Sequence, residues 1–469
     1  MRAPWGSGRF ERVLVYGLGM SGRAAARLLL SRGVSVAAVD ARPEDKLDLA
    51  GLSSTDKAQL EVIAGAEPER LPEGKFDAVV VSPGVPMDRP LLEEARRRGI
   101  PVIAEVELAF PLLNGPIVAI TGSNGKSTTT ALTGAMLRAA GLPVEVCGNI
   151  GEPLAGLIDG PPGRVFVVEL SSFQIEGIVT FKPRAAALLN LAEDHLDRYA
   201  SMAEYAAAKK RLFRDQDAEG IAVLNADDPE AADVETAARK RHFSRLGQVK
   251  DGCWADADGR VVEVTPDEPD VELFHASDVP LAGVQNLENA MAAALLARAI
   301  GAEPAEIRAG LRGFRGLPHR MQRVGERGGV AFYDDSKGTN PAATAKSLEG
   351  FADGTVHLIL GGRNKGADLG VLTPIVRAKA RKVYLIGEAA DEFAQALGGA
   401  VPSERSETMD VAVRSAAGNA RPGESVVLSP ACASFDQFRN FVHRGESFQA
   451  LVRGLLQEKG GADGEEARG

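Results

Sequence analysis

Cysteine is nearly missing from this 469-residue chain: Cys147, Cys253 and Cys432 stand far apart, show no metal-ligand spacing and are odd in number. That excludes a disulfide framework and suits a reduced cytosol. Aromatic residues make up only 5%. No apolar run approaches the ~18 residues of a membrane span, and the opening MRAPWGSGRFER lacks an apolar signal core. Positive charge is in deficit, with a formal net charge of −10. That argues against a general nucleic-acid binder, which needs a basic face to displace counterions from phosphates, and leaves room for a local basic pocket for a small phosphorylated ligand. The expectation is a soluble, cytoplasmic protein with no nucleic-acid or membrane partner.

What the chain holds in quantity is glycine, 52 residues, together with alanine and a 45% hydrophobic share. That profile suits helices packed on parallel sheets, and the length calls for about two to four domains. Strand and helix patterns alternate in three runs, with strands such as Arg12 to Tyr16, Ile117 to Ile120 and Val356 to Leu360. The predicted fold class is α/β, three domains, each a mainly parallel sheet with flanking helices. The expected boundaries are 1–104 (Rossmann-like), 105–316 (P-loop) and 317–469 (Rossmann-like).

The segment Thr121-Gly122-Ser123-Asn124-Gly125-Lys126-Ser127-Thr128 follows a strand and opens a helix. Glycines let backbone N–H groups turn toward phosphate oxygens, and a helix N-terminus adds its positive dipole end. Lys126 would neutralise the β- and γ-phosphates, and the Ser127 hydroxyl would ligate Mg²⁺. This loop alone does not separate a ligase from a kinase, a GTPase or a motor.

Downstream residues narrow the choice. Glu169 ends the strand Val165 to Val168, where a carboxylate can meet a metal, and Ser171 and Gln174 follow it. His195 lies among carboxylates after another apolar strand; a metal ligand and a structural histidine are both open readings. Ser201-Met202-Ala203-Glu204 is a capping box, so a helix is expected from about Met202 through Phe213, with Tyr205 and Lys209 on one face. By composition Lys209 is one of three surface cations with Lys210 and Arg211.

Near the N-terminus, Gly17-x-Gly19-x-x-Gly22 lies between a strand and a helix, and Asp40 ends the next strand. By itself this is a dinucleotide fingerprint, for which an NAD-dependent dehydrogenase is a fair reading.

In order and spacing, TGSNGKST, ELSSFQ, EDHLD and Y-x-x-x-K-x-R resemble the Mur ligases of peptidoglycan precursor synthesis; folylpolyglutamate synthases share the first few signals. In the third run DDSKGTN, GGRNKG and SPACASFDQF are similar to the D-glutamate-adding branch, another Mur-type or folylpolyglutamate-type ligase being the alternative. The resemblance implies an ATP-dependent ligase joining D-glutamate to UDP-N-acetylmuramoyl-L-alanine through an acyl phosphate, with two Mg²⁺ ions, acting as a monomer.

It implies catalytic roles for Lys126, His195 and Lys209, the last bearing a CO₂-derived carbamate. ATP would be held by Gly122, Ser123, Asn124, Gly125, Lys126, Ser127, Thr128, Asn286, Asn289, Arg320 and Asp335. The metal ligands would be Ser127, Glu169, His195 and the Lys209 carbamate. The uridine diphosphate substrate would meet Gly19, Ser21, Asp40, Arg42, Ser82, Gly84, Asn149, Ser171 and Gln174. D-glutamate would meet Lys337, Thr339, Lys365, Ser434 and Phe441. Among the departures from the family pattern, Gly338 stands where alanine is common.

Overall fold

A computed structural model describes residues 10–457 apart from 48, 50, 51, 195–197, 282 and 365. His195 and Lys365 therefore lie outside the described residues. By contacts the chain divides into two units: one holds the first two sheets with Glu288–Phe314, the other holds the third sheet with Pro280–Leu287.

The first sheet is all parallel and runs in the order β3 (Leu60–Ala64), β2 (Ser35–Asp40), β1 (Arg12–Tyr16), β4 (Ala78–Val81), β5 (Val102–Ala104). Its central strands are unbroken apolar runs such as Ala-Val-Val-Val, buried throughout, as strands covered on both faces must be.

The second sheet contains β6 (Ile117–Thr121), β7 (Val144–Gly148), β8 (Val165–Glu169), β9 (Ala185–Leu188), β10 (Ile221–Asn225), β11 (Arg239–Ser244), β12 (Gly252–Ala255), β13 (Arg260–Val264) and β14 (Val271–His275). Their order is β14-β13-β12-β11-β10-β9-β6-β8-β7. Strand β6 sits between β8 and β9, so the chain reverses its progress across the sheet beside it. The carboxyl ends of these three strands form the crevice where doubly wound sheets bind ligands. The strands from β7 to β12 are parallel across the sheet, whereas β12, β13 and β14 pair antiparallel. This antiparallel extension was not foreseen: β13 and β14, at one end of the sheet, carry polar residues among their apolar ones and lack the continuous apolar signal that marks buried strands.

The third sheet runs β15 (Gln322–Arg327), β16 (Val330–Asp334), β20 (Ser425–Ala431), β17 (Val356–Gly361), β18 (Ala380–Ile386), β19 (Ser403–Glu407). Only β15 pairs antiparallel. The three sheets are mainly parallel with flanking helices, as expected. Among the described residues no helix is long and apolar enough to cross a membrane.

Candidate active site

At the end of β6 the Thr121 hydroxyl donates to the carbonyl of Leu170 at 2.9 Å, fixing the β6 and β8 ends together. The chain then turns through Gly122 (φ 149°) and Gly125 (φ 83°) into the helix Lys126–Ala139. Gly125 is doubly constrained, because a β-carbon there would overlap Oδ1 of Asn289. That oxygen accepts from the Thr129 hydroxyl at 3.2 Å.

The segment after β9 clamps the loop from the other side. The amides of Ser123 and Asn124 donate to the carbonyl and Oδ1 of Asn190 at 2.9 and 2.8 Å, and Asn190 Nδ2 donates back to the Asn124 carbonyl at 3.1 Å. The Ser123 hydroxyl lies 3.0 Å from the Ala192 carbonyl and 3.2 Å from the Tyr205 hydroxyl. Ser123 and Asn124 thus use these groups to shape the loop. No side chain caps the helix Lys126–Ala139. Its first-turn amides, without intrahelical acceptors, are placed to receive an anion.

Two lysine amines meet at this loop. Lys126 Nζ donates to the carbonyls of Gly122 and Ser123, both at 2.9 Å, and Lys209 Nζ donates to the same Gly122 carbonyl at 2.9 Å. Lys209 is not the surface cation that composition suggests: it is 1% exposed, with its amine 4.6 Å from the centre of the Tyr205 ring. Burial, reinforced by the Lys126 charge, pulls its pKa well below the ordinary lysine value, against the opposing fields of Asp194 and Glu169. The helix bearing it is Met202–Lys210, continued by a tight turn Arg211–Phe213. Ser201 caps it by accepting from the Glu204 amide at 3.2 Å. The Glu204 carboxylate instead accepts from the amide of Ala200 at 2.9 Å, so the expected reciprocal box is half formed.

Glu169 is also buried. Its Oε1 accepts from Asn149 Nδ2 at 2.8 Å, while Oε2 is buried without a hydrogen-bond partner. An orphaned carboxylate oxygen in a low-dielectric site calls for a cation. No group of three acidic, histidine or cysteine side chains able to hold a metal stands together among the described residues.

A cavity of about 310 Å³ opens over these groups, lined by Lys126, Lys209, Tyr205, Asn149, Ser171 and Phe173, and on the first-sheet side by Pro83 and Gly84. Ser171 and Gln174 form a complete capping box on the short helix Ser172–Glu176, which occupies the Gln174 carbonyl oxygen. One residue that joins the two sides was missed in the sequence. Arg198 donates to the carbonyls of Pro83 and Val85 at 3.0 and 2.9 Å, and its guanidinium lies 3.8 Å over the Phe173 ring. It follows the EDHLD motif directly, which was the available signal.

On the first sheet the glycine turn is packed tightly. A β-carbon at Gly22 would overlap the Gly17 carbonyl, which accepts from the Ser82 hydroxyl at 2.6 Å. Asp40 accepts from the Leu18 amide at 2.7 Å and from three nitrogens of Arg42 at 2.7 to 2.9 Å. The Arg42 hydrogen bond is the main reason its carboxyl falls to about 2. Asp40 and Ser82 hold the turn's shape, leaving Gly19, the uncapped N-terminus of Met20–Ser31 and half-buried Ser21 on its open side.

In the second unit Asp335, Lys337 and Thr339 follow the carboxyl end of β16, and Ser434 follows that of β20. Arg320 is flanked by His319 (φ 62°) and Met321 (φ 44°), non-glycine residues in the left-handed region. Asp335 accepts from the hydroxyls of Ser347 and Ser429, each at 2.7 Å, and burial pushes its pKa up to about 6. A β-carbon at Gly338 would stand 2.8 Å from Asp335 Oδ2 and 2.9 Å from Ser429 Oγ, so this glycine lets that pair close. Lys337 Nζ lies 3.9 Å over the Phe441 ring, and Ser434 is buried nearby in the β20 loop. Asn286 and Asn289 share the helix Val284–Ala299, and both are buried.

Known proteins resemble most of the chain. Residues 11–104 match the Mur ligase MurD-like N-terminal domain, 120–297 the Mur ligase middle domain and 319–432 the Mur ligase glutamate ligase domain. Among solved structures, a pseudomurein peptide ligase type C from Methanothermus fervidus shares the fold at 17% identity and a TM-score of 0.60, covering 95% of this chain and 100% of that one. The UDP-N-acetylmuramate-alanine ligase of Thermotoga maritima does so at 17% identity and 0.57, covering 95% and 99%. These matches define a three-sheet α/β ligase.

Closer in sequence are two proteins named UDP-N-acetylmuramoylalanine–D-glutamate ligase. That of Solibacter usitatus is 44% identical over 95% of this chain and 98% of its own length. That of Acidobacterium capsulatum is 42% identical over 94% and 96%. The chain belongs to the Mur ligase family.

Proposed function

We propose that this chain joins D-glutamate to UDP-N-acetylmuramoyl-L-alanine with cleavage of ATP to ADP, in peptidoglycan precursor synthesis. The observation that carries the reading is the convergence of two lysine amines on one phosphate-loop carbonyl, beside a buried carboxylate oxygen without a partner. The named relatives supply the substrates.

A carboxylate cannot expel oxide when an amine attacks it. Transfer of the γ-phosphoryl group to the substrate carboxylate makes an acyl phosphate, whose leaving group is phosphate. The loop amides and Lys126 hold the phosphoryl charge while it moves. The orphaned oxygen of Glu169 fits a divalent cation, and Ser127, His195 and a carbamate on Lys209 would be the further residues to hold two Mg²⁺ ions. Such ions would supply charge neutralisation while the phosphoryl group moves.

Lys209 suits carbamylation because burial lowers its pKa and so favours the free amine: the nitrogen lone pair forms a bond to CO₂, one C=O bond pair moves onto oxygen, one N–H proton leaves to solvent, and the side chain becomes an anionic oxygen donor. Asn190 and Ser123 keep the loop closed around the phosphates. Asn289, behind Gly125, and Asn286, Arg320 and Asp335 belong to the nucleotide side of this reading. The Gly19–Ser21 turn, Arg42, Gly84 and Asn149 belong to the uridine diphosphate side. Lys337, Thr339, Lys365, Ser434 and Phe441 select the amino acid within 317–469, residues 1–104 and 105–316 serving the sugar nucleotide and ATP. A cytoplasmic monomer completes the proposal.

The test is ADP release and product mass with UDP-N-acetylmuramoyl-L-alanine, ATP, Mg²⁺ and either glutamate enantiomer. D-glutamate should drive turnover; equal rates with L-glutamate would sink the assignment. Activity in CO₂-depleted buffer should fall and return on adding bicarbonate.

A further inference from the structure

Arg444 stands in the first turn of the helix Phe441–Gln457 and is 0% exposed. This is a costly place for a cation: it is out of water, and it sits at the helix end where the backbone dipole is already positive. No carboxylate forms an ion pair with it among the described residues. Its acceptors are all uncharged: Nε donates to Ser336 Oγ at 3.0 Å, and Nη2 donates to the carbonyls of Ser336 and Cys432 at 2.9 and 3.0 Å. Nη1 is buried without a partner. Burial lowers the guanidinium to about 10, so it remains charged at neutral pH, helped by the more distant carboxylates of Asp436, Asp334 and Asp335.

These bonds cross three separate segments. Ser336 belongs to the loop after β16, and its hydroxyl donates onward to the Phe441 carbonyl at 2.8 Å, where the helix begins. Cys432 belongs to the loop after β20. A fourth segment abuts the same group, since a β-carbon on Gly362 would come within 3.1 Å of Nη1. The adjacent Arg363 and Ala433 exchange both backbone hydrogen bonds, at 2.8 and 3.0 Å. The planar fork reaches two loops at once, which a lysine ammonium on a flexible stem does not reproduce. Lys337, Ser434 and Phe441 each lie within a few residues of an Arg444 contact.

We propose that Arg444 is the positioning residue of the amino-acid site: it locks two loops and a helix start into one register, and thereby sets the affinity for the incoming amino acid without touching it. This rests on the reading of 317–469 as the amino-acid-selecting region. Steady-state kinetics of the full chain with UDP-N-acetylmuramoyl-L-alanine, ATP, Mg²⁺ and varied D-glutamate would test it, on Arg444→Lys, Arg444→Met and the milder Ser336→Ala.

Arg444→Lys is expected to raise the KM for D-glutamate about tenfold, and Ser336→Ala about threefold, with KM for ATP and the nucleotide substrate held within about twofold. Arg444→Met should exceed Arg444→Lys or fail to fold, which thermal melting distinguishes; the other two variants decide the matter in that case. A fall in kcat with unchanged KM for D-glutamate, or all three KM values rising together, overturns the proposal. Absence of D-glutamate-dependent ADP release in the unsubstituted chain would instead overturn the functional reading on which it rests.

Discussion

Lys209 and Arg444 are both cations sealed from solvent, at 1% and 0% exposure, yet burial acts on them differently. The lysine sits in the first unit, near the second cation Lys126, and its pKa falls well below the ordinary value. The arginine sits in the second unit among neutral acceptors and falls only to about 10. An ammonium can relinquish its proton and leave a nucleophilic amine. A guanidinium delocalises its charge and keeps it. The first arrangement prepares chemistry at the nitrogen, and the second fixes geometry around it.

The largest test of that contrast exchanges the two behaviours. Lys209→Arg preserves a cation that cannot deprotonate, and Lys209→Met removes the charge altogether. Both should lower ADP release by ~10³-fold. An arginine variant retaining more than about a tenth of the activity would show that charge, rather than a free amine, is what the site needs.

Glu169→Gln comes next. It preserves size and the Asn149 contact, but removes the anionic oxygen that lacks a partner. A loss of ~10²-fold in kcat, with a raised Mg²⁺ requirement in a metal titration, is expected. An unchanged Mg²⁺ profile would argue that the orphaned oxygen serves something else.

Asn190→Ala removes two hydrogen bonds that hold Asn124 in the phosphate loop. At about 1 kcal/mol per bond, the KM for ATP should rise on the order of tenfold, with a smaller change in the KM for D-glutamate.

The smallest effect on activity concerns Glu105, the acidic counterpart of Lys209. Its carboxyl is buried with Oε2 unpartnered, and burial raises its pKa from 4.5 to about 7. The folded chain then holds a proton that the unfolded chain has lost above 4.5. Stability therefore falls as pH rises from 4.5 to about 7, and stays low above it. Glu105→Gln should remove this fall. Melting curves should show a gain of about 1–3 kcal/mol at pH 8 and little difference near pH 4, with turnover unaltered.

Much of the molecule is legible in the chain. Buried parallel strands announce themselves as unbroken apolar runs, and Gly122 and Gly125 mark a turn that side chains would obstruct. The strands β13 and β14 at one end of the second sheet escaped because their interspersed polar residues carry no comparable signal. Lys209 shows the limit most sharply. Beside Lys210 and Arg211 it is one of three adjacent cations, and only packing against Tyr205 and the Gly122 carbonyl separates it from them. Arg198 and Arg444 escaped for the same reason: arginine is ordinarily a surface residue, and each donates two of its hydrogen bonds to backbone carbonyls, which any sequence supplies.

By itself, then, the sequence determined the three α/β sheets, the glycine turn between β6 and the helix Lys126–Ala139, and the family pattern, because these depend on local periodicity and on residues whose chemistry stays the same wherever they stand. The tertiary structure alone decided which lysine has its pKa depressed by burial, which carboxylate oxygen lacks a partner and which arginine bonds to two loops at once. Those outcomes follow from desolvation and from contacts between segments distant in the chain, and neither is written in any local stretch of residues.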